Sequence, residues 1–198
     1  MSWRGIIAAL IAAIFLGAVS TVGAHDDRDE HELEVATLAN GRCGKLAGSL
    51  PVLISRTGAR PGEVVGDVTV CVASADDAVQ LSLRVVELAD VDPACTGAEL
   101  TRDDTCGAGK RGELGASLLQ EVGLGPCPSI PAGTNPALER RLTALQASSL
   151  VLVDRLQRKQ VVCVRLRLRY EPPDSGAAIA SQSDRTTWRY AFSATARR

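Results

Sequence analysis

Ten residues, VVCVRLRLRY from Val161 to Tyr170, constrain the fold more than any other stretch of the chain. Val162, Val164, Leu166, Leu168 and Tyr170 share one parity, and Val161, Cys163, Arg165, Arg167 and Arg169 share the other. Side chains of a strand point alternately to its two faces, so this is a strand with one oily face and one wet face. Three desolvated guanidinium groups would cost too much, so the arginines face water and Cys163 shares their side. Such a row of arginines pairs with acids on a neighbouring strand, or else binds an acidic partner.

The same period recurs. VVGDVTVCVAS (64–74) sets Val68, Val70 and Val72 against Asp67, Thr69 and Cys71, and VQLSLRVVEL (79–88) sets Val79, Leu81, Leu83 and Val85 against Gln80, Ser82 and Arg84. The intervening SADDA (74–78) is a turn, making the two a hairpin or consecutive strands of facing sheets. SLVLVDRL (149–156) and TTWRYAFSA (186–194) are further strands, and ELEVATLA (32–39), SLPVLI (49–54) and GASLLQEV (115–122) are shorter candidates. Tyr170, Trp188, Tyr190 and Phe192 all fall on the core parity, which argues for packing rather than a sugar-binding platform. The helix signal is PALERRLTAL (136–145), with Asn135 as cap and Leu138, Leu142 and Leu145 on one face. The expected fold is all-β: a two-sheet antiparallel sandwich, jelly-roll-like or immunoglobulin-like, with a Gly-, Pro-, Asp- and Cys-rich loop excursion over 92–136.

Residues 1–24 read as a secretory signal peptide: Arg4, the apolar run GIIAALIAAIFLGAV, then Val22 and Ala24 before HDDRDEHE. An uncleaved anchor is the alternative, although the run is short for a membrane span. Cleavage removes Arg4 and shifts the formal charge from −1 to −2, which favours neither nucleic acid nor an anionic membrane. Segment 25–40 is then a charged N-terminal stretch and 41–198 the sandwich domain.

All six cysteines follow the expected cleavage point, and in an exported chain an even count reads as disulfides. Cys71 and Cys163 both lie off the core, which suggests a bridge Cys71–Cys163 across adjacent strands; alternatively each pins a loop lying over that face. Cys95–Cys106 is the easiest pair by proximity, a closure worth about 3 kcal/mol in the chain-entropy model. Cys43–Cys127 remains. Six cysteines allow about 15 pairings, so this set is one choice among many.

The chain offers little for catalysis. His25 and His31, the two histidines, lie in the first seven residues after the expected cleavage point, so a Ser-His-Asp or Cys-His arrangement would have to recruit one of them from the chain terminus. No H-E-x-x-H or G-x-S-x-G occurs, and GAGKRG (107–112) departs from a phosphate loop, with Arg111 where Ser or Thr would hold magnesium. Two histidines and six acids in HDDRDEHELE (25–34) make a weak cation ligand at most and read as a solvated tail. No cofactor, metal site or catalytic residue is expected.

The order of ARPGEVVGDVTVCVAS, LSLRVVEL, LTALQASSLVLVDRLQRKQVVCVRLRLRY and QSDRTTWRYAFSATA resembles the TasA/camelysin family of secreted bacterial matrix proteins. Pro61–Gly62, Leu152–Leu156, Val162–Leu168 and Gln182–Ala194 occupy the positions of the family pattern, over roughly 49–195. The resemblance implies a jelly roll and a non-enzymatic structural role, as a cell-surface or extracellular-matrix fibre subunit. It also implies that an N-terminal strand is lent to the next subunit, here Glu32, Leu33, Val35 and Leu38. The partner would then be a second copy or another matrix or surface protein, with no nucleic acid and no membrane after leader cleavage. Six cysteines depart from the family's cysteine-poor pattern, and the chain carries no zinc motif to match the protease activity attached to camelysin. The alternative is a monomeric secreted binding module that presents the 92–136 excursion.

Overall fold

The computed structural model describes residues 33–44, 50–55, 59–76, 79–92, 95, 97–101, 103, 112–129, 133–181 and 184–196. The strands are β1 (Leu33–Ala39), β2 (Arg42–Cys43), β3 (Leu50–Ser55), β4 (Val64–Ser74) and β5 (Val79–Val91), followed by the short helix α1 (Leu114–Ser117). Then come β6 (Leu118–Pro126), β7 (Arg140–Arg141), α2 (Leu142–Ala147), β8 (Leu150–Leu156), β9 (Val161–Tyr170), α3 (Ser175–Ala180) and β10 (Arg185–Ala196).

The pairings nest. β3 lies against β10, β4 against β9, β5 against β8 and β6 against β7, all antiparallel. This is one long ribbon folded back on itself at β6–β7. Wrapping the ribbon brings β10 beside β5 and β9 beside β6, giving two facing sheets: β3-β10-β5-β8 in one, β4-β9-β6-β7 in the other. Successive strands from β3 to β6 alternate between sheets, and this is the strand order of a jelly roll rather than of sequential hairpins. β4 and β5 are therefore strands of facing sheets, not a hairpin. β1 and β2 extend the second sheet beyond β4, giving it six strands.

The two oily faces meet as the alternation requires. Val70, Val72, Val164, Leu166 and Leu168 from one sheet pack against Leu81, Leu83, Val85, Trp188 and Tyr190 from the other, all buried. Each large apolar side chain so buried contributes about 1.5–3 kcal/mol relative to exposure. Trp188 and Tyr190 meet edge to face, with ring centroids 6.0 Å apart. Gln120 also faces this core. It is tolerated because its amide is satisfied: Nε2 donates to the carbonyls of Glu121 (2.7 Å) and Arg167 (3.1 Å), and Oε1 accepts the Tyr190 hydroxyl in a short contact. Burial raises the pKa of the Tyr190 phenol far above its ordinary value, so it stays a donor.

The helical signal over 136–145, expected as one or two turns, divides between two elements. A 3-10 turn at Pro136–Leu138, capped by the Asn135 side chain, precedes β7, and helix follows at 142–147, burying Leu142 and Leu145. Glu139–Arg141 extend because β7 adds an edge to β6, at Leu119↔Arg141 and Gln120↔Arg140. The 92–136 excursion is likewise less free than its composition suggests, since its strand β6 pairs with β9 along all nine residues.

Candidate functional site

Three constellations lie outside the core: the outer face of the β4–β9–β6 sheet, the added strand β1, and a set of buried carboxylates around Asp184.

On the outer face, the arginine row pairs with acids. Asp67, on β4, binds Arg165 at 2.6 Å and lies 3.7 Å from Arg167. Glu121, on β6, lies 2.9 Å from Arg169 and 3.9 Å from Arg167, and Glu171 is 3.0 Å from Arg169. The hydrogen bonds and charge of Arg165 hold the Asp67 carboxyl below its usual value. The face is therefore largely self-neutralised.

Beyond Arg165 the same face carries the cysteines. Cys71 and Cys163 are Cα register partners on β4 and β9, the placement that the expected bridge between them required. They do not bond to each other, nor Cys43 to Cys127. The bridges are Cys43–Cys71 (Cα–Cα 5.9 Å) and Cys127–Cys163 (5.0 Å). The reason is the chain that crosses over them. Cys43 pairs with Leu38 of β1, and β1 separates β2 from β4. Two strand spacings in a flat sheet would be about 9.5 Å, so the β1–β2 hairpin curls over the outer face to reach Cys71. On the other flank, Gly125 opposes Cys163, and the chain turns two residues later, placing Cys127 above it. Each strand thiol thus pins an overlying segment, and both Cys71 and Cys163 are 0% exposed although they share the wet parity. Cys95 is also disulfide-bonded, while its expected partner, Cys106, lies outside the described residues.

Of the expected donor strand, Glu32 lies outside the described residues. Val35 is buried opposite Val72, while Leu33 and Leu38 are half-buried. β1 runs antiparallel to β4 from Leu33↔Ser74 to Thr37↔Val70. In this chain the strand completes its own sheet.

The third constellation was not read from sequence. Asp184, immediately before β10, is 1% exposed; its Oδ2 accepts the N–H of Glu113 at 2.5 Å and of Leu114 at 3.1 Å. Its Oδ1 meets no donor among the described residues. Asp90 accepts the N–H of Gly115 at 3.1 Å. These carboxylates hold α1 so closely that a Cβ on Gly112 would lie 2.7 Å from the Asp184 carboxyl carbon, and one on Gly115 would lie 2.5 Å from an Asp90 oxygen. Burial pushes the Asp184 carboxyl up to about 7, opposed by the Glu113 N–H and reinforced by the Glu113 and Asp92 carboxylates. Two glycines three residues apart, before a strand, were the available signal.

Two sets of potential metal ligands converge among the described residues: Cys43, Cys71 and Cys127, and Asp92, Cys95 and Asp103. The sulfurs of both sets are oxidised in disulfides and are poor ligands in that form, which leaves only two carboxylates in the second. Among the described residues no helix is long and apolar enough to cross a membrane, and the bridges are compatible with an extracellular setting. Compared with protein-family models, curated proteins and solved structures, the chain matches none.

Proposed function

We propose that this chain is an exported, non-enzymatic structural protein, a cell-surface or extracellular-matrix (biofilm) subunit of the TasA/camelysin kind, that assembles by lending its N-terminal strand to the next copy. The observation that carries this reading is that the eight-stranded jelly roll closes without β1. β1 is a ninth strand laid on the edge of β4, where backbone groups would otherwise stand unpaired. The same register can be filled from a second copy, with ladder hydrogen bonds supplying affinity and Val35 over Val72 supplying the anchor. The bridge from Cys43 to Cys71 clasps whichever strand lies beneath it, so exchange precedes closure of that bridge. Export fits a chain whose leader-like segment precedes a disulfide-bonded sandwich. The binding-module reading draws less support, because the 118–126 part of the excursion is built into the sheet as β6.

The test is sedimentation velocity on the full mature chain and on a chain lacking residues 25–39. Both are refolded oxidatively over a range of concentrations. The reading expects concentration-dependent polymers from the first and none from the second. Equal assembly by both, or a full chain that stays monomeric throughout, removes it.

A further inference from the structure

The two bridges on the outer face are neighbours. The Sγ atoms of Cys43, Cys71 and Cys127 all lie within 4.8 Å of one another, so one sulfur of the second bridge sits beside both sulfurs of the first. Cys43 and Cys127 are half-buried, whereas Cys71 and Cys163, register partners on β4 and β9, are sealed beneath them. Disulfides exchange by direct attack of a thiolate on sulfur, so sulfurs this close can trade partners while the strands stay in place.

We propose that Cys43, Cys71, Cys127 and Cys163 form a single thiol–disulfide exchange centre whose substrate class is a dithiol. A thiolate of the dithiol attacks Cys43, the more accessible sulfur of its bridge. The Cys43–Cys71 bond breaks, Cys43 carries a mixed disulfide and Cys71 leaves as a thiolate. The second thiol of the reagent resolves the mixed disulfide. The reagent departs as its cyclic or oxidised disulfide, and Cys43 takes up a proton. Two electrons have entered the protein. The Cys71 thiolate then attacks Cys127, breaking Cys127–Cys163 and releasing Cys163 as a thiolate. Cys163, opposite Cys71 in the ladder, attacks Cys71 and displaces Cys127, which is protonated. These last two steps move no net electrons. The product holds Cys71–Cys163 in the sealed layer and leaves thiols on the two half-buried residues. A buried thiolate is costly, and transfer places the reduced sulfurs where water reaches them. The consequence is that one reduction event opens both loop tethers at once, releasing the β1–β2 hairpin and the segment after β6 together.

The probe is limiting dithiothreitol on the oxidised full chain at neutral pH. Acid quenching, alkylation with N-ethylmaleimide and non-reducing peptide mapping follow, with the Cys95 bridge counted separately. The proposal expects most of the species that retain one bridge among these four cysteines to carry Cys71–Cys163, with alkylated Cys43 and Cys127. It is overturned when only Cys43–Cys71 or Cys127–Cys163 is found in that population, or when the same pairings arise at the same frequency in guanidinium-unfolded chain. The Cys43→Ser variant keeps the second bridge and starts with Cys71 unpaired. There Cys71 is expected in a bridge and Cys127 alkylated, and an alkylated Cys71 beside an intact Cys127–Cys163 counts against the exchange.

Discussion

Asp184 gives the account a quantitative test. Its carboxyl is sealed at the end of the sandwich, and its pKa rises from 3.8 to about 7, chiefly through burial. One pKa unit corresponds to about 1.4 kcal/mol, so a shift of roughly three units corresponds to about 4 kcal/mol as an upper value. The folded pKa lies above the unfolded one. The stabilisation that the protonated group brings is therefore complete below about pH 4 and is lost as pH rises through 7. Asp67 acts in the opposite sense, because Arg165 lowers its pKa, so its contribution is present above its unfolded pKa and fades in acid. The Asp184→Asn variant separates the two. Asparagine keeps a carbonyl oxygen for the Glu113 and Leu114 N–H groups and does not ionise. Guanidinium unfolding of both proteins at pH 4.5, 6 and 8 gives the stability difference at each pH. Moving from pH 4.5 to 8, the parent chain should lose about 3–4 kcal/mol relative to the variant. Parallel curves across this window would mean that Asp184 ionises normally and that its burial argument is wrong.

Two further outcomes follow from the same geometry. Gly115→Ala places a Cβ 2.5 Å from an Asp90 carboxylate oxygen, breaking the hydrogen bond to the Gly115 N–H, and should lower stability by about 1–3 kcal/mol in denaturant melts. Replacing Cys43 and Cys71 together by serine removes a bridge spanning 28 residues, worth about 3–4 kcal/mol in the chain-entropy model, and should lower the thermal midpoint measured by circular dichroism.

The alternation of Val162 to Tyr170, Val68 to Val72, Leu81 to Val85 and Trp188 to Phe192 was enough to read the main strands and the buried aromatics, because a half-buried strand writes its two faces directly into sequence. Parity assigned Cys71 and Cys163 to the face away from the core; that their strands are neighbours comes from the β4–β9 pairing. Parity could not name their partners, since the partner depends on which loop is carried over that face by pairings elsewhere in the chain. Gln120 sits on a core face because Tyr190, far away in sequence, supplies the hydroxyl that satisfies it. The α3 turn, SGAAIA, has no apolar period of its own; it is set by Asp174, whose side chain caps the Ala177 N–H after two prolines. The carboxylates that grip α1 come from 90 and 184, positions that only the folded ribbon brings to one end. The N-terminal strand was legible as a strand, but its place beside β4, outside the nested ribbon, was not.

That place is the centre of the account, and strand complementation tests it most directly. A chain lacking residues 25–39 and carrying Cys43→Ser and Cys71→Ser, which leaves the clasp over the β4 edge open, would be titrated with a synthetic peptide spanning residues 30–40, following binding by calorimetry and the β4 amides by hydrogen exchange. The account predicts saturable one-to-one binding, with exchange slowed at the β4 residues that face β1, between Val70 and Ser74. A truncated chain that ignores the peptide, and whose β4 amides are as protected as those of the full chain, would contradict it.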